Sequence, residues 1–477
     1  MIVVPLDKAL PDNEIQNLVT RSEAEIAIFD KKYIDIMKKI KEAPNSMLNE
    51  LICMDDVKEE EIENFNDLLS FSKNLLEEGN KKYKEIKVDP NKMSIMLFTS
   101  GTTNEPKAVM LSQKNICSNI QDLASWVQLG TKDTMLSFLP IHHTFECTVT
   151  FLFGFYSGAT IAFCDGLKYI QKNLAEYKVS VFVAVPLVLE TMYKKIQKAI
   201  NDQGKTKLIN TMVKISKLLL KCKIDIRKKV FKQILDNFGG NLRVVFYGSA
   251  PMNKDTIIGF NNFGIDLIQG YGLTETSPVV SAESDKEKRP GSIGLALPSL
   301  NVKISNPDEN GEGEITVKGP SVMLGYYNNE EENKKALKDG WFYTGDYGYI
   351  DKDGFIWITG RKKDIIVLRN GKNVYPQEIE FLINKLPYVK ESLVYQRERN
   401  STDTMLCAKI VYDEDILKET FGDKTEKEYK DLIFEEIKEI NKTLPVFKHI
   451  KSISITTKEF VKTTTQKVKR YEELKNV

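Results

Sequence analysis

The stretch with the densest chemistry is Ile95-Met96-Leu97-Phe98-Thr99-Ser100-Gly101-Thr102-Thr103-Asn104-Glu105-Pro106-Lys107. An apolar run that reads as a strand enters a loop of hydroxyls and one glycine, and a lysine closes it. Such a loop offers backbone N–H groups, several O–H donors and one cation, a set that suits a polyphosphate. A polar surface turn uses the same residue types, but the strand lead-in and the terminal lysine argue against that reading. The loop lacks the GxxxxGK[ST] form of a P-loop. Gly204-Lys205-Thr206 imitates the end of that form, yet Ala199 stands where its first glycine is required.

Two further groups fit the same ligand. In Gln269-Gly270-Tyr271-Gly272-Leu273-Thr274-Glu275-Thr276 a carboxylate lies beside hydroxyls, as a hard cation bridging phosphates requires; the string would equally serve as a helix start capped by Thr274. Asp346, ending Gly340-Trp341-Phe342-Tyr343-Thr344-Gly345-Asp346, and Arg361, in Thr359-Gly360-Arg361-Lys362-Lys363-Asp364, supply a carboxylate and a guanidinium for a diol that both donates and accepts. Read singly, they are a turn aspartate and a surface arginine.

Together these stretches resemble the signatures of the adenylate-forming superfamily of acyl-CoA synthetases, luciferases and peptide-synthetase adenylation domains. The resemblance implies that Thr99, Ser100, Gly101, Thr102, Thr103 and Lys107 hold the phosphates of ATP. It implies that Tyr271 stacks near adenine beside Gly272, that Thr274 meets phosphate and that Glu275 helps hold Mg²⁺. Asp346 and Arg361 fall at the ribose contacts, and Gly248-Ser249-Ala250-Pro251 resembles the adenine-side loop. Lys363, two residues past the arginine, falls at the pivot about which the family's small C-terminal domain swings. Gly371 falls where the pantetheine arm of coenzyme A passes the backbone, an approach that a glycine permits cheaply.

The ending Phe460-Val461-Lys462-Thr463-Thr464-Thr465-Gln466-Lys467-Val468-Lys469-Arg470 resembles the signature with the catalytic lysine, which aligns with Lys467. Val461 and Gln466 depart from the Pro and Gly of many members, so Lys469 stays open as a competitor. Leu139-Pro140-Ile141-His142-His143-Thr144-Phe145-Glu146 resembles the segment whose histidine shields the reacting carboxylate, and the Pro-x-x-His spacing selects His143, with His142 its neighbour. A satisfied structural histidine is an equally good reading of that position.

The activity so implied is activation of a medium- or long-chain fatty acid by ATP, followed by transfer to coenzyme A. The acyl-site segment, the basic insertion before Gly248 and the Thr-x-Lys-x-Lys-Arg ending look most like the long-chain branch. Two other readings stay open: an adenylation enzyme acylating a carrier protein, and a nonenzymatic nucleotide- or acyl-binding remnant. The remnant would be expected to lose Glu275, Asp346, Arg361 or Lys467, and all are present. Kinase motifs are absent. Family members carry a further block ahead of the strand beginning here at Ile2, so the chain is expected to lack most of an N-terminal subdomain and to expose apolar surface.

Positioning such groups takes an α/β scaffold. Short β-rich runs alternate with helical patterns (Ile2–Leu6, a helix near Asn13–Arg21, Glu25–Phe29), which is βαβ grammar and predicts a parallel-rich sheet flanked by helices. Val181–Val185 and Leu242–Tyr247 read as buried strands whose C-terminal ends face ligand-binding turns. From about residue 290 short strands with Gly and Pro turns predict a β-rich subdomain, 290–362, closing a large domain, 1–362. Residues 363–477 alternate helices and strands and predict a small, mobile α+β C-terminal domain.

The 477 residues are 42% hydrophobic and 28% charged, and 68 Lys+Arg against 67 Asp+Glu leave a net charge of +1, which gives no general attraction to nucleic acid. Charge is concentrated locally. Between Lys194 and Lys232 thirteen Lys/Arg face two acids, Asp202 and Asp225, on a basic amphipathic pattern that sits on a membrane surface, covers an apolar tunnel, or simply packs its apolar side on the core. Six scattered cysteines read as reduced core thiols of a cytoplasmic protein, peripheral at a membrane if 194–232 makes that contact. Met1–Asp7 do not read as the start of a secretory leader, so none is expected, and no stretch approaches the run of about 20 apolar residues that spans a bilayer. Oligomeric state leaves no mark in the sequence.

Overall fold

The computed structural model describes all residues except 100–105, 251, 285–286, 369–372, 401–402, 463–467 and 476–477, and not the side chains of 398–400 and 403–404. Its widest sheet has seven strands in the order Leu295–Ala296, Val279–Ala282, Asp266–Gly272, Val244–Tyr247, Val181–Ala184, Thr134–Ser137, Thr160–Phe163. The last five run parallel, and the first two join antiparallel at one edge. Strands Val181–Ala184 and Val244–Tyr247 are buried at every position. Alternation of side chains explains this, because Val181, Val183, Val244 and Phe246 enter one core and Phe182, Ala184, Val245 and Tyr247 a second on the opposite face.

A smaller parallel sheet pairs Ile26–Phe29, at the expected Glu25–Phe29 strand, with Glu50–Cys53 and then Glu63–Asn64, two strands the early pattern did not predict. The expected strand at Ile2–Leu6 does not form. Val3 makes a lone parallel bridge to Ile95 instead, since Pro5 lacks the N–H a ladder requires. The β-rich part is an antiparallel sheet of Asn301–Ser305, Gly313–Lys318, Trp341–Ile350 and Leu337–Lys338, with Ile356–Arg361 also on Trp341–Ile350. In the C-terminal part Val389–Asn400 pairs antiparallel with Asp403–Tyr412, which pairs parallel with Ile450–Thr456. Helix Glu426–Lys442, started by a Thr425/Glu428 capping box, buries Ile433 and Ile437 against that sheet in a core of its own.

The basic segment forms the helices Pro186–Asp202 and Thr206–Lys221, followed by short turns of helix at Arg227–Val230 and Lys232–Asp236. The cysteines divide: Cys53 and Cys407 are buried, but Cys117 and Cys222 are exposed, so core packing does not describe all six. No helix among the described residues is long and apolar enough to cross a membrane.

Candidate functional site

Antiparallel register sets Asp346 opposite Arg361, and geometry does the rest. Arg361 Nε lies 2.9 Å from Asp346 Oδ1, and the Tyr271 hydroxyl donates to Oδ2 at 2.7 Å. The carboxylate is 3% exposed, yet both oxygens have charged or polar partners, as burial of an ion demands. Burial first, then the Asp346 charge, pushes the Tyr271 phenol well above its ordinary range, and Asp346 holds Arg361 more firmly protonated. Three residues spread over 271–361 thus form one polar cluster.

Thr99 pairs with Lys107 across the hairpin formed by Met93–Thr99 and Lys107–Ser112, so the hydroxyl-rich connection leaves and re-enters the sheet at one point. Lys107 Nζ is bonded to Glu332 Oε2 and lies 5.0 Å from the centre of the Tyr326 ring. The Tyr326 hydroxyl donates to Glu275 Oε1 at 2.9 Å, and the Met323 N–H donates to the Glu275 carbonyl at 2.8 Å. Lysine, tyrosine and glutamate therefore form a continuous link between the strand that begins at Lys107 and the Thr274–Thr276 turn. Sequence reasoning missed Tyr326 and Glu332, whose strand and helix start give no local sign of this placement. Among the described residues no three His, Cys, Asp or Glu gather as a metal cage. A single carboxylate with a neighbouring hydroxyl, Glu275 next to Thr274, fits Mg²⁺ that takes its remaining ligands from a bound polyphosphate and water.

Gly248 follows its strand as expected, and a Cβ there would lie 2.8 Å from the Gly270 carbonyl oxygen, so only glycine fits. Gly272 is stricter: its Cβ would meet the Pro278 carbonyl at 1.9 Å. Ser249 adopts φ 73° and with Ala250 is exposed beside the buried Gly248. The Phe145 ring reaches the same place, 3.7 Å from the Gly248 Cβ position. Below lies an apolar cavity lined by Val127, Phe145, Val149, Phe153, Phe246 and Gly270 among others. His143 begins the turn into the helix Phe145–Leu152, its N–H bonded to the Pro140 carbonyl at 2.9 Å. His142 faces Asp7 at 3.7 Å, with burial lowering its pKa against the pull of that aspartate.

On the same helix Glu146 is fully buried, and Oε2 accepts from the Thr150 hydroxyl at 2.9 Å. Burial pushes its carboxyl up to about 7, against the opposing pull of Ser137, Thr150 and the Phe138 N–H. A folded pKa above the unfolded one stabilises the protein at low pH, and that contribution is lost as pH rises from about 4.5 through about 7. Glu146→Gln is therefore expected to gain stability relative to the parent at pH 8 over pH 5, by up to about 3 kcal/mol in urea titrations. An equal difference at both pH values would mean that the carboxyl is ionised throughout.

Ser100, Gly101, Thr102, Thr103, Gly371 and Lys467 lie outside the described residues. Lys469, the competitor, pairs with Glu472 at 3.2 Å. Lys363 sits in the turn Lys362–Asp364, between the strand ending at Arg361 and the C-terminal part, and burial lowers its pKa.

Residues 1–327 match the family described as AMP-binding enzyme, and residues 363–476 its AMP-binding enzyme C-terminal domain. The chain is 32% identical over 314 residues to the long-chain-fatty-acid–CoA ligase FadD15 of Mycobacterium tuberculosis, covering 63% of this chain and 51% of that protein. It is 30% identical over 416 residues to the chloroplastic long-chain-fatty-acid–[acyl-carrier-protein] ligase AEE15 of Arabidopsis thaliana, covering 75% and 56%. These matches span little more than half of those relatives. In fold it resembles ATP-bound MatB from Rhodopseudomonas palustris, with a TM-score of 0.74 at 23% identity over 100% of this chain and 83% of that one.

Proposed function

Since the chain belongs to the AMP-binding, adenylate-forming enzymes, we propose that it is an acid–thiol ligase that activates a medium- or long-chain fatty acid with ATP and transfers the acyl group to coenzyme A. The observation that carries this reading is the Tyr271–Asp346–Arg361 cluster, a buried, fixed acceptor built from three separate strands. In the first step a carboxylate oxygen of the acid attacks the α-phosphorus, the bond to the β-phosphate oxygen breaks, and pyrophosphate leaves. In the second the thiolate attacks the acyl carbon and AMP leaves. Asp346 and Arg361 hold the ribose, Lys107 and the 99–103 hydroxyls hold the phosphates, and Lys467 neutralises charge developing between carboxylate and α-phosphate. Gly248, Ser249 and Ala250 border the adenine, His143 shields the carboxylate, and Gly371 passes the pantetheine arm. Bound Mg²⁺ supplies charge neutralisation on the leaving phosphates. The similarity to long-chain fatty-acid ligases supports an acid with an apolar chain. Swinging of 363–477 about Lys363 separates the two steps.

Pyrophosphate release by the purified chain with Mg²⁺, ATP and fatty acids of increasing length tests this directly. Acid-dependent pyrophosphate together with CoA-dependent thioester is the expected result; adenylate without thioester, relieved by a phosphopantetheinylated carrier protein, would favour the carrier reading that the resemblance to AEE15 keeps open. No pyrophosphate from folded, ATP-binding protein would favour the remnant. Tyr326 makes a finer prediction, because its hydroxyl orients the Glu275 carboxylate. Tyr326→Phe is expected to raise the Mg²⁺ concentration for half-maximal activity about tenfold, the worth of one hydrogen bond to a charged group. Titration of Mg²⁺ at saturating ATP reads this, and an unchanged requirement would remove Tyr326 from the site.

A further inference from the structure

Helix Thr206–Lys221 meets the core with Ile209, Met212 and Val213, which pack around Ile200, Phe231 and Phe263. Ordinary amphipathic packing is thereby satisfied. Yet the opposite side also carries large apolar residues, Leu208 at 53% exposure, Ile215 at 43% and Leu218 at 65%. At 3.6 residues per turn these three fall within an arc of about 80°, on a helix about 24 Å long. Exposed Lys207, Lys214, Lys217 and Lys221 occupy the adjoining arc, and exposed Lys194, Lys195 and Lys198 lie on the preceding helix Pro186–Asp202. None of these seven lysines has a carboxylate partner among the described residues, whereas the nearby acid Asp225 is neutralised by Arg227 at 2.7 Å. With a net charge of only +1 for the whole chain, this positive surface is local.

We propose that the outer face of Thr206–Lys221 docks on an anionic lipid bilayer, with Leu208, Ile215 and Leu218 entering the acyl boundary and the lysines meeting the headgroups. Charge complementarity selects this occupant: apolar side chains flanked by lysines without a carboxylate partner among the described residues match an interfacial helix lying in the headgroup plane. A second copy of this chain would bring the same lysines together and repel itself. The inference does not depend on which acid the chain activates.

Cosedimentation of the full chain with vesicles of phosphatidylcholine containing about one-third phosphatidylglycerol tests it, against pure phosphatidylcholine and against roughly 0.5 M salt, where charges are screened within about 4–5 Å. The expected result is binding to the anionic vesicles, at least tenfold weaker to neutral ones and reduced by salt. Ile215→Asp with Leu218→Asp, and separately Lys214→Glu with Lys217→Glu, are each expected to weaken binding about tenfold at unchanged melting temperature. The proposal is overturned if the chain binds neither vesicle, if both double variants bind like the parent, or if the variants instead dissolve a dimer seen by sedimentation velocity.

Discussion

Lys467→Ala is expected to lower acid-dependent pyrophosphate release about 10²- to 10³-fold, roughly 3–4 kcal/mol of transition-state stabilisation from one charged donor. ATP binding should change little, because the ammonium is assigned to charge that develops only as the carboxylate attacks. Thioester formation from a supplied acyl-adenylate should survive, since that step needs no attack on phosphorus. The neighbouring lysines have other duties: Lys462 lies 3.1 Å from Glu391, and Lys469 lies 3.2 Å from Glu472. Lys469→Ala is therefore expected to cost little. A larger loss in Lys469→Ala than in Lys467→Ala would transfer the role, and equal loss of both half-reactions would point to a folding defect.

Asp346→Asn is expected to weaken ATP and AMP binding about 10- to 100-fold, the scale of one or two hydrogen bonds to an ionised acceptor, about 1.5–3 kcal/mol. The side chain keeps its shape, but its charge and one acceptor oxygen are gone, and the partners at 2.9 Å and 2.7 Å, Arg361 and Tyr271, lose the group they grip. A nucleotide without ribose hydroxyls separates function from packing. Calorimetry with 2′,3′-dideoxy-ATP should show weak binding to the parent and almost no further loss in the variant. If the variant weakens the dideoxy nucleotide as much as ATP, Asp346 supports the fold and does not meet the ribose.

The chemistry was legible wherever a motif is contiguous. Strand, hydroxyls and lysine of 95–107, the Thr274-Glu275 pair, and the glycines at 248 and 272 follow one another along the chain, and the backbone itself brings them together. Continuous apolar runs likewise predicted the buried strands Val181–Ala184 and Val244–Tyr247, because a strand covered on both faces takes apolar residues at every position. The strand expected at Ile2–Leu6 failed for a local reason too, the missing N–H of Pro5. Glu146 was present in a motif whose histidine drew the chemical reading; an acid amid apolar neighbours was the available sign of its burial.

Residue types and spacing marked out candidate groups with chemistry suited to phosphate, a hard cation and a diol, and predicted that an α/β chain would carry them. Tertiary structure alone decided who holds whom: that Tyr271 and Arg361 share Asp346, and that Glu332 and Tyr326 take Lys107 and Glu275. It also decided that a basic helix keeps three large apolar residues outside after its inner face is satisfied. The physical reason is separation: Lys107 and Glu332 are 225 residues apart, and their meeting depends on strand register and packing that only the folded chain defines.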